Sequence, residues 1–565
     1  LIYISLAILL QETSVIDWQM PPARRYLWFI PLLLALAFAL RRSWSAPPSD
    51  FAGYYYGSQA LIHGHYAEAY DMTQLNDRIV GDGYPDVFVS YTPFPPFTSL
   101  VFAPLLIFPM NVARIMFNSI SIGLFLFTLL RITRFLATPP YLVLALPVIF
   151  FIPLLNNLAF GQAYLLLFTL LTEGYLAYRK QQRILSSLLW AAAILFKLFP
   201  AFLLLFLLLR RRYRDALYLG IGCTLLLALS AGINGIAAWD FYGAVILPRM
   251  SHGELNDSFT YIFQSAFMLL KRTFRYDQLL NPHPIADDPW LFTLSTAVFK
   301  SLILTPAILL TRREKDDVLP FTVWIAASML ISPNGSSYSL VLLILPLLGL
   351  AWRTQSSAPS PGRTPSVIAA IPVIAAALLT AACAIPVTRL GTLSLPAQFP
   401  RLYLLLLFYL LLCRPQPTTR NLTLATALTA LFFALDIRGN IPTKDTGSYV
   451  LAKEAHLFID GFTARNNCLI YSWRDEKGHH EETTDCPVTT LTANNIELRD
   501  NQIWYKGKQI TTTPDRKAKP ALVNGDHIIY LSDLNRGFGF YTLRKIRPAG
   551  SPPEPNAAAT PGSFR

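Results

Sequence analysis

Charge is what this chain has least of. Only 14% of its 565 residues are charged, against about 25% in soluble domains, which excludes a single water-soluble core. Cysteine is scarce as well. There are five, at Cys223, Cys383, Cys413, Cys468 and Cys486, without the clustered spacing of a structural zinc site. No aspartate pair has the spacing that a catalytic divalent ion demands, so neither metal site nor cofactor is expected, and metal dependence stays open. Internal repeats are missing too: paired halves with interrupted helices in matching positions, the pattern of many transporters, are not found. The net charge of +13 does not imply nucleic acid, because most of it lies in short Lys/Arg clusters between hydrophobic segments, the signal that orients membrane insertion.

Hydrophobic residues, by contrast, make up 53% of the chain, and the mean hydropathy is +0.40. Apolar runs of roughly 20 residues, enough to cross about 30 Å of hydrocarbon, recur from Tyr26 to Asp436. They predict an all-α polytopic membrane domain over 26–436 with about thirteen crossings. Basic clusters mark every second boundary: Arg131 with Arg134, Arg179-Lys180 with Arg183, Arg210 to Arg214, Arg312-Arg313 with Lys315, Arg353 with Arg363, and Arg414 with Arg420. These, with Arg24-Arg25, are placed on the cytoplasmic side of a bacterial inner membrane. Arg41-Arg42 fall on the other side and are outvoted. The outer face then carries loops 44–111, 232–290 and 387–401. Residues 1–25 are an N-terminal segment without an initiator methionine, open to truncation and assigned no signal peptide.

After Asp436 the composition changes. Short alternating runs such as CLIYSW, NQIWYKG and DHIIYLSD, separated by Asn/Gly turns, predict a small β-rich extracytoplasmic domain over 437–548. The strands look like blades of a TolB-like or WD40-like repeat, too few to close a propeller. Residues 549–565 are Pro/Ala/Ser-rich and expected to be disordered. Cys468 and Cys486 are expected to form a disulfide, worth on the order of 3 kcal/mol for a loop of this size, with two free thiols as the alternative.

The loop after the first span is polar and tyrosine-rich. Asp50-Phe51 is followed by Tyr54-Tyr55-Tyr56, by Tyr70-Asp71, and by Tyr91-Thr92-Pro93-Phe94-Pro95-Pro96-Phe97. Further on come Asn156-Asn157 with Gly161-Gln162, Phe196-Lys197-Leu198-Phe199-Pro200, Asn256-Asp257-Ser258, and Ser332-Pro333. This ordered series resembles glycosyltransferase family 87, integral membrane enzymes of the GT-C superfamily that include polyprenyl-phosphate-mannose-dependent mannosyltransferases. Two departures stand out. The segment Ser332 to Tyr338 lacks the Trp and His that often follow Ser-Pro in that family, and the β-rich tail is outside the common core.

The resemblance implies transfer of mannose or a related hexose from a polyprenyl-phosphate donor to an extracytoplasmic glycan or glycolipid hydroxyl, with inversion. Membrane lipid is the surrounding partner; oligomeric state stays open. A polysaccharide polymerase or ligase, and a lipid-linked sugar transporter or flippase, are the alternatives. Inversion by direct displacement needs a base near the acceptor oxygen, for which Asp50 is the candidate; a helix N-cap is its structural alternative. Tyr54 and Tyr55 would bind sugar or anchor the loop among head groups. Asp71 would bind hydroxyls or form a turn. Gly161 and Gln162 would approach a hydroxyl or pack a helix end, and Asn256 is a further substrate-binding candidate. For the leaving phosphate the candidates are Lys197, Lys300 and Arg249, with snorkelling or lipid contact as the alternative.

Overall fold

The computed structural model describes residues 26–548 except 86, 92, 255–257, 357–366, 415–418, 441–447, 453–458 and 476–477. Asn256, the N-terminal segment 1–25 and the tail 549–565 lie outside the described residues. The chain divides into two compact units, Leu1–Tyr276 with His283–Ile441, and Asp277–Pro282 with Pro442–Arg565.

The first unit is helical. Its main helices are α1 (Ile30–Trp44), α2 (Ser49–Ile62), α3 (Met110–Phe135), α4 (Phe151–Phe160), α5 (Tyr164–Arg179), α6 (Arg183–Lys197), α7 (Phe202–Leu209) and α8 (Tyr213–Asn234). They are followed by α9 (Ala266–Phe274), α10 (Pro289–Arg313), α11 (Val318–Ile331), α12 (Ile344–Ser356), α13 (Val367–Ala384), α14 (Pro400–Cys413) and α15 (Thr419–Asn440). Among the described residues, five helical stretches are long and apolar enough to cross a membrane: Leu27–Trp44, Met110–Phe135, Tyr213–Asn234, Pro289–Arg313 and Ser337–Ser356. A sixth arises if Pro140–Ile149 and α4, bent by 54° at their junction, act as one span. The mostly helical class with several candidate spans is present, but the thirteen expected crossings are not confirmed among the described residues. Apolar runs alone do not separate lipid-facing helices from core helices: α11 is apolar throughout, yet only 14 residues long and buried along nearly its whole length, about 21 Å against the roughly 30 Å of hydrocarbon.

The basic clusters collect at one end of this unit, where acidic side chains meet them. Arg131 pairs with Glu173, Arg179 with Asp316, Arg183 with Asp215, Arg210 with Asp317 and Arg353 with Glu314. Because α5 and α6 run in opposite senses between the same two ends, Tyr164 and Lys197 fall together at the other end.

The second unit is β-rich. A five-stranded antiparallel sheet runs in the order β1-β11-β10-β9-β5, beside three-stranded sheets β2-β3-β4 and β6-β7-β8. The strands are β1 (Tyr449–Val450), β2 (Ile459–Arg465), β3 (Cys468–Asp475), β4 (Gly478–Asp485), β5 (Leu491–Thr492), β6 (Ile496–Arg499), β7 (Gln502–Tyr505), β8 (Lys508–Gln509), β9 (Lys517–Val523), β10 (His527–Ser532) and β11 (Thr542–Ile546). Sheets of five and three strands differ from the four-stranded blade of a propeller. Every residue of β10 is buried, which is why its middle, Ile528 to Leu531, is a continuous apolar run. A disulfide joins Cys468 to Cys486. The hexapeptide Asp277–Pro282 belongs to this unit although it lies far earlier in the chain. Gln278 exchanges two hydrogen bonds with the Val450 backbone, Asn535 donates to Asp277, and Leu279 packs on the core around Leu469 and Leu543.

Candidate active site

The site is built on α2. The helix starts directly after Pro47-Pro48, and its residues from Phe51 to Ser58 are all buried. Two glycines, one turn apart, let the following segment lie against it. A Cβ on Gly57 would stand 2.2 Å from the Tyr91 ring, and one on Gly53 would stand 3.1 Å from the Ser90 carbonyl oxygen. The C-terminus of α4 reaches the same helix through Gly161, whose φ of 66° suits a residue without a β-carbon. A Cβ there would also come within 2.5 Å of the Phe51 Cβ.

This close approach delivers Gln162 to Asp50. The Gln162 Nε2 donates to Asp50 Oδ2 at 2.6 Å, while Tyr54 OH donates to Gln162 Oε1 at 3.0 Å. The two bonds fix the amide's orientation and hold the carboxylate by one oxygen. Asp50 caps nothing: the N-cap position of α2 is Pro48, without a side-chain bond. Burial pushes the Asp50 carboxyl above the usual carboxylate range, against the opposing pull of the Gln162 hydrogen bond and the Lys197 charge. Its field also acts on the hydroxyls of Tyr54, Tyr164 and Tyr338.

Lys197 ends α6, and the next residue, Leu198, has a φ of 46°. That conformation is disfavoured for a residue with a β-carbon and concentrates at functional sites. The Lys197 ammonium stands 4.3 Å from the ring centre of Phe94, 4.7 Å from Tyr164 and 5.6 Å from Tyr54. Tyr54 is in turn stacked between Phe94 at 4.2 Å and Phe102 at 4.6 Å. Aromatic faces attract the cation, and no hydrogen bond or ion pair reaches it among the described residues. Asp50, Gln162 and Lys197 thus arrive from three distant segments at one aromatic-walled place.

Other candidates are placed elsewhere. Asp71 is the N-cap of helix Met72–Gly81 and accepts from the backbone N–H of Thr73 and Gln74 and from the Gln74 amide, which is the turn-forming role. Tyr55 donates to the Phe108 carbonyl at 2.9 Å, so it fastens α2 rather than lining the site. The three tyrosines are buried within the protein, not spread among head groups. Lys300 pairs with Asp436, and Arg249 lies in the short helix Leu247–Ser251. Among the described residues, neither is a charge that acts on Asp50.

Two residues at the site escaped the sequence reading as candidates: Tyr164 and Tyr338, whose rings lie 5.4 Å apart. Asn157 joins them, donating to the Tyr338 carbonyl at 2.6 Å and accepting from the Tyr164 N–H at 3.2 Å. Asn156 adds a bond to the Ser337 hydroxyl at 2.7 Å. The available signal was proximity in sequence, Tyr164 to Gln162 and Tyr338 to Ser332-Pro333. The Pro333 carbonyl itself accepts from Ser265 at 2.6 Å, behind Tyr164.

The comparison with known families bears on the class. Residues 91–333 match the model of glycosyltransferase family 87. The match supports a glycosyltransferase of the membrane type, and it spans Phe94, Asn157, Gln162, Tyr164 and Lys197. Asp50 precedes the matched segment and Tyr338 follows it; the fold brings both to it. No curated protein and no solved structure matches the chain.

Proposed function

We propose that this glycosyltransferase moves mannose or a related hexose from a polyprenyl-phosphate donor to an acceptor hydroxyl outside the cytoplasm, with inversion at the anomeric carbon. The observation that carries the reading is the placement of Asp50 and Lys197, neither in an ion pair among the described residues, within one aromatic-walled site just beyond the end of the first candidate span.

Asp50 takes the proton of the acceptor hydroxyl as its oxygen bonds to the anomeric carbon. Burial suits it to that work, because a carboxylate of raised basicity takes the proton more readily. The bond from the anomeric carbon to the phosphate oxygen breaks, and its electron pair stays with the phosphate. Lys197 meets the charge that develops there, most strongly in the transition state. Gln162 holds the carboxylate and Tyr54 holds Gln162, while Tyr164 and Tyr338 offer hydroxyls and ring faces to the sugar.

The test is transfer of labelled mannose from polyprenyl-phosphate-mannose to acceptors in membranes, comparing wild type with an equally abundant, folded Asp50→Asn variant. A loss of on the order of 100-fold or more is expected for a general base. Undiminished transfer in the variant would remove Asp50 from the mechanism.

A further inference from the structure

At the end of the helical unit away from Asp50, the turn between α7 and α8 and the end of α10 border an open hollow of ≈ 890 Å³. The distance from the site follows from α6, whose 15 residues span about 22 Å. Four arginines line this space, and three of them, Arg211, Arg212 and Arg312, are exposed. Arg212 lies 6.0 Å over the Tyr178 ring. Among the described residues no ion pair or side-chain hydrogen bond engages any of the three.

Their neighbours are different. Arg210, at the start of the same turn, is consumed by Asp317 and by the carbonyls of Thr311, Glu314 and Lys315. The nearby acids are engaged as well: Asp215 with Arg183, Glu314 with Arg353, and Asp316 with Arg179. The guanidinium groups of Arg211, Arg212 and Arg312 are thus left without a counter-charge among the described residues. Arginine presents a planar fork that matches phosphate oxygens in pairs. The N-terminus of α8, with no side-chain cap, points the positive end of its dipole the same way.

The setting decides which phosphate. Both α8 and α10 are candidate spans, so their ends fall at head-group level. The pocket wall also includes Leu208, 43% exposed, and Tyr213, 63% exposed, an apolar side suited to acyl chains and an aromatic suited to the interface. We propose that Arg211, Arg212 and Arg312 form a binding site for the phosphate head group of an anionic phospholipid in the leaflet opposite Asp50. Basic pockets between helix ends bind such head groups by the same electrostatics.

The test is lipid retention by the purified full chain, read by native mass spectrometry with dioleoylphosphatidylglycerol and dioleoylphosphatidylcholine in competition. Wild type is expected to favour the anionic lipid by at least roughly tenfold. The triple variant R211Q/R212Q/R312Q is expected to lose that preference, Arg312→Lys to lose part of it, and the control pair R41Q/R42Q to keep it. Equal retention of the two lipids by wild type, or an undiminished preference in a folded triple variant, would overturn the site. Displacement of the anionic lipid by millimolar inorganic phosphate would overturn its assignment to lipid, since a head group anchored by acyl chains resists a free anion.

Discussion

Lys300 and Asp436 meet in a direct ion pair between α10 and α15, whereas Asp50 and Lys197 are held by neutral groups, an amide for one and three aromatic rings for the other. Both arrangements bring a carboxylate and a lysine into a poorly solvated setting. In the first, each charge answers the other, which offsets the cost of removing it from water. In the second, neutral partners make the direct contacts, and the two charges act on each other without a direct ion pair. A base must keep its lone pair for an incoming proton, and a cation must keep its attraction for a leaving phosphate, so the second arrangement is the one suited to chemistry. The difference also explains why a lysine in an apolar run is an incomplete signal: sequence shows the cost of the charge but not what answers it.

Breaking Lys197 should have the largest effect after that of Asp50. Lys197→Met removes the cation from the aromatic cage, and transfer is expected to fall by roughly 10²–10³, the range for losing one electrostatic group at a developing anion. The loss should appear in kcat rather than KM. Lys300→Met is the control that sharpens the comparison, since per folded molecule it should leave transfer near the wild-type rate. Equal losses in the two variants would erase the distinction between them.

The ion pair should instead report on stability. Breaking a fully buried pair costs about 3–5 kcal/mol, but side-chain exposures of 21% and 24% at Lys300 and Asp436 let solvent screen part of that. Asp436→Asn is therefore expected to cost about 1–3 kcal/mol, read as a lower melting temperature in detergent. The double variant K300M/D436L, which leaves no orphan charge, should recover much of it. A double variant as unstable as the sum of the singles would show that the pair is no unit.

The contrast between these regions was only half legible in the sequence. Asp50, Gln162 and Lys197 were visible because each follows a break in an apolar run, where a polar residue is conspicuous. Tyr164 and Tyr338 were not, since their meeting depends on the left-handed end of α4 at Gly161 and on the hydrogen bonds of Asn157. Neither leaves a pattern in hydropathy. The helical class could be read from apolar runs, but the number of crossings could not, because a run buried in protein and a run facing lipid look alike. For the same reason Asp277–Pro282 gave no hint of its place in the β-rich unit, whose bonds to it run to Val450 and Asn535 across the sequence.

The finest distinction lies in pH. Burial raises the Asp50 carboxyl, while the Gln162 hydrogen bond favours the charged form and holds that rise in check. Transfer should therefore fail on the acid side as Asp50 becomes protonated. Gln162→Leu removes one of the influences that lower its pKa, so the acid limb of the rate profile should move to higher pH, with a smaller loss at the pH optimum than Asp50→Asn causes. Asp436→Asn should leave the limb where it was, because Asp436 is not among the charges that act on Asp50. Measuring initial rates of sugar transfer across pH for the three proteins checks this. An acid limb that shifts to lower pH in Gln162→Leu, or that moves equally in Asp436→Asn, would mean that the titrating group is not the carboxylate Gln162 holds.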